Sequence, residues 1–168
     1  MKGAISRLKK IKMLALDVDG VLTDCRIFLD GTGEWRRFFS IRDGYGIIRL
    51  HELGYKVAII TASKAKDIEE RAKILKVDYF HNGNFDKAAE LELLLKNSGL
   101  RAEEIAFMGD DVFDIPVLEK VGFAATVPEA MDEVFSAVQY TTKRPGGNGA
   151  VREVCELIIK YGALGKPL

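Results

Sequence analysis

The chain has little of what usually announces a specialised class. Cysteine is limited to two residues, tryptophan to one and proline to four in 168 residues. Cys25 and Cys155 stand far apart, with no C-x-x-C pairing and no histidine at a ligand spacing, so neither a disulfide framework nor a zinc site is indicated. A reducing cytoplasm is therefore the expected compartment. No apolar run approaches about 18 residues, and the start lacks the apolar stretch and small-residue cleavage site of a signal peptide. Charge of one sign is not in excess either: Lys+Arg and Asp+Glu number 25 each, for a formal net charge of 0. That balance argues against nucleic acid or an anionic membrane as partner. The locally basic start (Lys2, Arg7, Lys9, Lys10, Lys12) reads as a solvated arm.

What is present is enough apolar residue, 48% of the chain, to build one ordinary core without staples. Four short apolar runs, Met13 to Leu16, Val57 to Ile60, Ile105 to Met108 and Phe123 to Val127, suit strands buried on both faces. Between them, Ile68, Ala72 and Leu75, then Ala88, Leu91 and Leu95, and finally Val151, Val154 and Ile158 follow a helical period. Strands alternating with helices imply an α/β, three-layer, Rossmann-like fold: a parallel sheet with helices on both faces. One segment breaks the rhythm. Arg26 to Asp30 and Glu34 to Ile41 flank Asp30-Gly31-Thr32-Gly33 and read as a β-hairpin after the first strand. Its second arm, Trp35-Arg36-Arg37-Phe38-Phe39, carries aromatics on both faces and is a candidate oligomer contact. With no linker, no repeat and no room for a cap, residues 1–168 read as a single domain.

In open parallel sheets, ligands bind beyond the carboxyl ends of the strands. The first run ends in Asp17-Val18-Asp19-Gly20, the second in Thr61, and the third in Gly109-Asp110-Asp111 with Asp114 close behind. Lys87 follows Asp86 where a helix should begin. Carboxylates gathered on one rim repel; two unit charges 4 Å apart cost about 4 kcal/mol at an effective dielectric of 20. Something positive must sit among them. Oxygen-only ligands favour a hard cation, and a site that also takes phosphate favours Mg²⁺. Asp17 and Asp19 can divide nucleophilic attack and proton exchange, while Thr61 and Lys87 face the charge of a phosphoryl group. Taken singly, Asp-x-Asp-Gly is commonly a turn, Gly-Asp-Asp a helix cap and Lys87 a surface lysine. Their joint placement at successive strand ends is what points to phosphoryl transfer.

These residues resemble the four motifs of the haloacid dehalogenase superfamily: Asp17-Val18-Asp19-Gly20-Val21-Leu22-Thr23, Thr61, Lys87, and Gly109-Asp110-Asp111 with Asp114. The resemblance implies that Asp17 becomes an aspartyl phosphate and that Asp19 protonates the leaving alcohol and then activates water. It also implies that Thr61 and Lys87 hold the phosphoryl group. Asp17, the Asp19 carbonyl and Asp110 would hold Mg²⁺, with Asp111 or Asp114 in support. The missing cap, the hairpin, Arg42-Asp43-Gly44-Tyr45-Gly46-Ile47 and Gly146-Gly147-Asn148-Gly149-Ala150-Val151-Arg152-Glu153 are similar to the 3-deoxy-D-manno-octulosonate 8-phosphate phosphatase family. That family's members are capless tetramers whose hairpins build a shared barrel and whose neighbouring subunits help close each active site. It acts in making lipopolysaccharide sugar. By that resemblance the function is Mg²⁺-dependent hydrolysis of a 3-deoxy-2-keto sugar acid phosphate, with a nine-carbon sialic-acid-type 9-phosphate as the alternative. The segment Gly162 to Leu168 is a further candidate for closing a neighbour's site.

One departure stands out. The family usually reads Thr-Gly-Arg, or Thr-Gly-Glu in some nine-carbon relatives, where this chain has Thr61-Ala62-Ser63-Lys64. The charged third residue helps to recognise the sugar acid, so Ser63 leaves the choice of acid open. Lys64 is a candidate for the substrate carboxylate in its place. Gly146 and Gly147 are candidates for close backbone approach to the substrate, since Gly146-Gly147-Asn148-Gly149 is not a dinucleotide fingerprint. Two readings from other classes compete. A signalling receiver also clusters acids, Thr and Lys around a phosphorylated Asp, but carries its acidic pair first and its acceptor on the third strand. A non-catalytic homologue would keep the barrel and lose the chemistry, against which Asp17, Asp19, Lys87 and Asp110 are intact. His51 and His81 are isolated and read as structural or solvated.

Overall fold

The computed structural model describes residues 2–164, with the side chains of Lys2 and Ala4 left aside. Six parallel strands form the central sheet. They are β1 (Met13–Leu16), β4 (Lys56–Thr61), β5 (Tyr79–Asn82), β6 (Ile105–Met108), β7 (Phe123–Thr126) and β8 (Tyr140–Thr141). Their spatial order is β5-β4-β1-β6-β7-β8, and every pairing is parallel. β2 (Phe28–Leu29) and β3 (Trp35–Arg36) make a separate antiparallel pair after the first strand. The apolar runs became the middle of the sheet because all four residues of β1, β6 and β7 are buried, which a strand covered on both faces requires.

Helices α1 (Lys2–Leu8), α2 (Ile41–Glu52), α3 (Lys66–Leu75) and α6 (Ala150–Tyr161) pack together on one face. Helices α4 (Lys87–Ser98) and α5 (Ile115–Leu118) cover the other. From β1 the chain winds outward to β4 and β5, then crosses back to β6 on the opposite side of β1. The strand order thus reverses at the carboxyl end of β1, the place where α/β sheets open a crevice.

Several expectations need correction. The basic start is not a solvated arm: it is helical from Lys2 to Leu8, Leu8 and Ile11 are buried, and Arg7 donates to the Gly122 carbonyl at 3.1 Å. The alternation of charge hid two apolar anchors. The hairpin arms, expected over 26–30 and 34–41, pair only at Phe28–Leu29 and Trp35–Arg36. Ile41 opens α2 instead, because Ser40 caps it and accepts a hydrogen bond from the Asp43 amide at 3.3 Å. The fourth run ends at Thr126, one residue before Val127. Of the segment Gly162 to Leu168, residues 165–168 lie outside the described residues.

The two glycine motifs meet. Asp43 is buried, and its carboxylate accepts from the Gly149 amide at 3.0 Å and the Arg152 amide at 2.7 Å, so a residue of α2 caps the first turn of α6. Gly46 lets the two helices close up: a Cβ there would lie 2.9 Å from Arg152 Cδ and 3.1 Å from Cys155 Sγ.

Candidate active site

After β1 the chain folds into a tight turn around one carbonyl. The amides of Val21, Leu22 and Thr23 all bond to the Val18 oxygen, at 3.2, 2.9 and 3.1 Å. Asp17, on the sheet side of that turn, is buried; Asp19, on its outer side, is part-exposed. Gly20 has φ +90°, and a Cβ on it would fall 1.9 Å from Asp110 Oδ2. Only glycine both adopts this backbone and lets the Asp110 carboxylate come so near the turn.

Opposite, Asp86 caps α4 by accepting from the Ala89 amide at 3.1 Å, which fixes Lys87 at the first helical position. The Lys87 ammonium is fully buried and bonds Asp17 Oδ1 at 2.7 Å and Asp114 Oδ1 at 2.6 Å. It lies over the Phe113 ring, 4.6 Å from the centroid. The other Asp114 oxygen accepts from the amides of Asp110 and Asp111 at 3.0 and 3.1 Å, holding the loop after β6 in place. Asp17, Asp110 and Asp114 each bring an oxygen within 4.8 Å of the others.

Charge here does not balance. Three carboxylates share one ammonium. Burial, reinforced by Asp114 and Asp110, pushes the Asp17 carboxyl well above its ordinary range against the pull of Lys87. Asp110 is pushed up to about 7 by burial and by the charges of Asp114 and Asp111. Lys87 is held protonated, because Asp17 and Asp114 outweigh the effect of its burial. Among the described residues, Asp110 Oδ1 is buried and has no hydrogen-bond partner. An orphaned carboxylate oxygen in a group short of positive charge is what a divalent cation with oxygen ligands fits.

Asp19 is held from outside by Arg37 on the hairpin, whose Nε reaches Oδ1 at 2.6 Å and whose Nη2 reaches Oδ2 at 3.1 Å. Thr61 is buried at the end of β4, and its hydroxyl accepts from the Ser63 amide at 3.2 Å, leaving its own proton to donate. Ser63 turns its hydroxyl to Arg37 and to the Ala65 amide. Lys64 is exposed, with its methylenes over Gly83. Asp111 is drawn off as the cap of the turn Val112–Asp114, its carboxylate accepting from the Val112 amide at 2.6 Å.

A cavity of about 430 Å³ opens beside Asp110 and Gly20, walled by Arg26, Phe38, Gly146 and Gly147. The glycine loop closes one side, where the Gly147 amide bonds the Val21 carbonyl at 3.0 Å. Gly146 and Gly147 thus share a cavity wall with Asp110. Ser63 and Lys64 do not line this cavity, and neither do Asp17, Asp19, Thr61 and Lys87. Cys25 does; it is exposed, and desolvation together with the charges of Asp110, Asp19 and Asp17 pushes its thiol up to about 12. The residues that sequence reasoning passed over are Arg37 and Asp43. Their signal was a pair of arginines, Arg36 and Arg37, in an aromatic arm and an acid at the third position of an unrecognised helix.

A parallel sheet with a cation-seeking aspartate group and a buried lysine at its switch point defines the class as a haloacid dehalogenase-like hydrolase, and residues 79–154 match that family. The chain belongs, within it, to the 3-deoxy-D-manno-octulosonate 8-phosphate phosphatases. It is 40% identical over 155 residues to the enzyme of that description, KdsC, from Escherichia coli K12, an alignment covering 92% of this chain and 82% of the relative. Among solved structures, the phosphatase of that name from Moraxella catarrhalis, in complex with magnesium, phosphate and KDO, superposes with a TM-score of 0.93 at 36% identity, covering 96% of this chain and 93% of that one. The Yersinia pestis enzyme gives 0.90 at 39%, over 94% and 85% of the two chains. The capless α/β architecture is common to them.

Proposed function

We propose that this chain is a Mg²⁺-dependent phosphatase that hydrolyses 3-deoxy-D-manno-octulosonate 8-phosphate in lipopolysaccharide sugar biosynthesis. The observation that carries the reading is the Lys87 ammonium bound at once to Asp17 and Asp114, beside the orphaned oxygen of Asp110. Lys87 occupies Asp17 Oδ1 and leaves Oδ2 to attack phosphorus. As the new O–P bond forms, the bond from phosphorus to the sugar oxygen breaks, and Asp19 gives that oxygen its proton. Asp19 then takes a proton from the water that attacks the aspartyl phosphate, which releases phosphate and restores Asp17. Thr61 and Lys87 hold the phosphoryl oxygens. Asp17, the Asp19 carbonyl and Asp110 would hold Mg²⁺, with Asp114 rather than Asp111 behind them. The cation supplies positive charge to the phosphoryl group in the transition state.

Ser63, where the family carries Arg or Glu, favours testing a nine-carbon 9-phosphate as the second substrate. The deciding experiment is phosphate release from both sugar acid phosphates and from simple sugar phosphates, with and without EDTA, and with Asp17→Asn as control. Efficient Mg²⁺-dependent turnover of one sugar acid, reduced at least about a thousandfold in the control, is expected. Activity that survives chelation would overturn the mechanism.

Residues 1–168 act in this reading as one catalytic domain, assembled as a homotetramer in the cytoplasm. Supporting the assembly, Ile27, Phe28, Leu29, Trp35 and Phe38 are all exposed on the hairpin, with Phe28 and Phe38 stacked at 4.8 Å. Phe28→Ser with Trp35→Ser should shift the mass in light scattering from four subunits toward one; an unchanged mass would remove the hairpin from the interface. Supporting the compartment, both cysteines are free, and no helix among the described residues is long and apolar enough to cross a membrane.

A further inference from the structure

Asp19 must meet a leaving oxygen at a defined angle, yet it stands on a turn with its side chain about a third exposed. Besides Arg37, its only side-chain partner among the described residues is the Thr23 hydroxyl, at 3.5 Å. The Arg37 guanidinium grips both carboxylate oxygens in the forked manner that fixes a carboxylate's plane as well as its position. Arg37 is itself immobilised. It also donates to the buried Asp67 carboxylate at 3.1 Å and to Ser63 Oγ at 3.3 Å, and its side chain is 9% exposed. Its neighbour Arg36 pins the hairpin through Asp30, at 2.9 Å, and Glu34, at 2.6 Å. The Arg37 guanidinium spends its donors on Asp19, Asp67 and Ser63, so it is placed to act through Asp19.

We infer that Arg37 is a positioning residue for the acid–base step, holding the Asp19 carboxylate where it meets the leaving oxygen and tying that step to the hairpin. The inference rests on the phosphatase reading above and adds to it a residue outside the four motifs.

The test compares kcat/KM, which reports the chemistry only through departure of the leaving group, for three esters. One is the sugar acid phosphate, one is a sugar phosphate without a carboxylate, and one is 4-nitrophenyl phosphate, whose leaving group departs without a proton. Arg37→Met should lower kcat/KM about thirtyfold or more on both sugar esters, within the usual reach of general acid catalysis, and less than about threefold on the nitrophenyl ester. Arg37→Lys should recover part of the loss, since a point charge can bond one carboxylate oxygen but not span both. Asp67→Asn, which keeps the Asp19 fork, should fall between wild type and Arg37→Met.

An equal loss on all three esters would make Arg37 merely structural and overturn the inference. So would a loss confined to the sugar acid, which would mean that Arg37 binds the substrate carboxylate. No loss on any ester would do the same. Should the wild type release phosphate from none of the three, the phosphatase reading itself fails and the role of Arg37 falls with it; an active wild type with an unselective Arg37→Met refutes the positioning role alone.

Discussion

The rim at the end of β1 and the hairpin turn at Asp30 are both carboxylate-bearing loops, yet their charges are arranged oppositely. At the hairpin, Asp30 accepts from the Thr32 hydroxyl at 2.7 Å, the Thr32 amide at 2.8 Å, the Glu34 amide at 3.0 Å and Arg36 at 2.9 Å. The Thr32 and Arg36 bonds hold its carboxyl well below the usual range. At the rim, Asp17 and Asp110 are pushed above theirs by burial and by neighbouring carboxylates, Asp114 acting on both. The hairpin is electrostatically complete within the chain, whereas the rim is completed by something the chain does not encode. A loop that only has to hold its shape satisfies its own acids; a loop that must receive a cation and a phosphoryl group leaves one short.

The largest effect is expected at Lys87. Replacing it by methionine strips the rim of its one internal cation and leaves Asp17 and Asp114 buried without a partner, which should destabilise the metal-free protein by about 3 to 5 kcal/mol at pH 8. Urea unfolding in EDTA measures this. Phosphate release should fall to background as well, because the phosphoryl group loses its ammonium. If Lys87→Met unfolds at the wild-type urea concentration, the rim is not short of positive charge and the contrast with the hairpin is lost.

Magnesium sharpens the contrast from the other side. A ligand that binds only the folded state stabilises it by about 2.7 kcal/mol at a hundredfold excess over its dissociation constant. The pH dependence has a definite sign. Acids raised in the folded state contribute stability that is fully present below their unfolded value and disappears as pH climbs through the folded one. With Asp110 at about 7, the metal-free protein should lose stability from about pH 4 up through that value. Mg²⁺ needs the ionised carboxylates, so the gap between melting temperatures with Mg²⁺ and with EDTA should widen over the same interval. A gap constant from about pH 5 to pH 8 would contradict the origin assigned to these shifts.

What the sequence made legible follows from where signals are local. Met13 to Leu16 and Ile105 to Met108 form strands with those same ends because each is apolar throughout and bounded by polar residues. The rim was legible because strand ends concentrate polar residues that have no packing reason to be there. β5 was not, since Tyr79-Phe80-His81-Asn82 is a half-buried edge strand without an apolar run. α2 was hidden by Gly44 and Gly46, which lower helix propensity yet are needed for close packing on α6 and beside Arg71. Arg37 could not be assigned to Asp19, because a contact across 18 positions leaves no local trace. The same is true of Asp43, whose partners at Gly149 and Arg152 lie more than a hundred residues on.

The smallest effect belongs to the hairpin, and it carries the opposite sign. An acid lowered in the folded state contributes stability that is present above the ordinary carboxylate value and is lost as pH falls below it. Asp30→Asn should therefore make stability fall slightly less steeply below about pH 4, because there the unfolded wild-type chain takes up a proton that the folded Asp30 still refuses. Near pH 7 the asparagine carbonyl can still accept from the Thr32 and Glu34 amides, so only the ion pair between Asp30 and Arg36 is lost, and Arg36 keeps Glu34 at 2.6 Å. The melting temperature should shift by less than about 3 °C, with the urea midpoint in EDTA nearly unmoved. Activity should respond only as far as the turn steers Arg37, seven residues along, onto Asp19. A several-fold loss of kcat/KM on sugar esters that spares 4-nitrophenyl phosphate would mean that the turn transmits to the acid–base step. An equal loss on every ester would mean that the hairpin's completeness serves the fold alone.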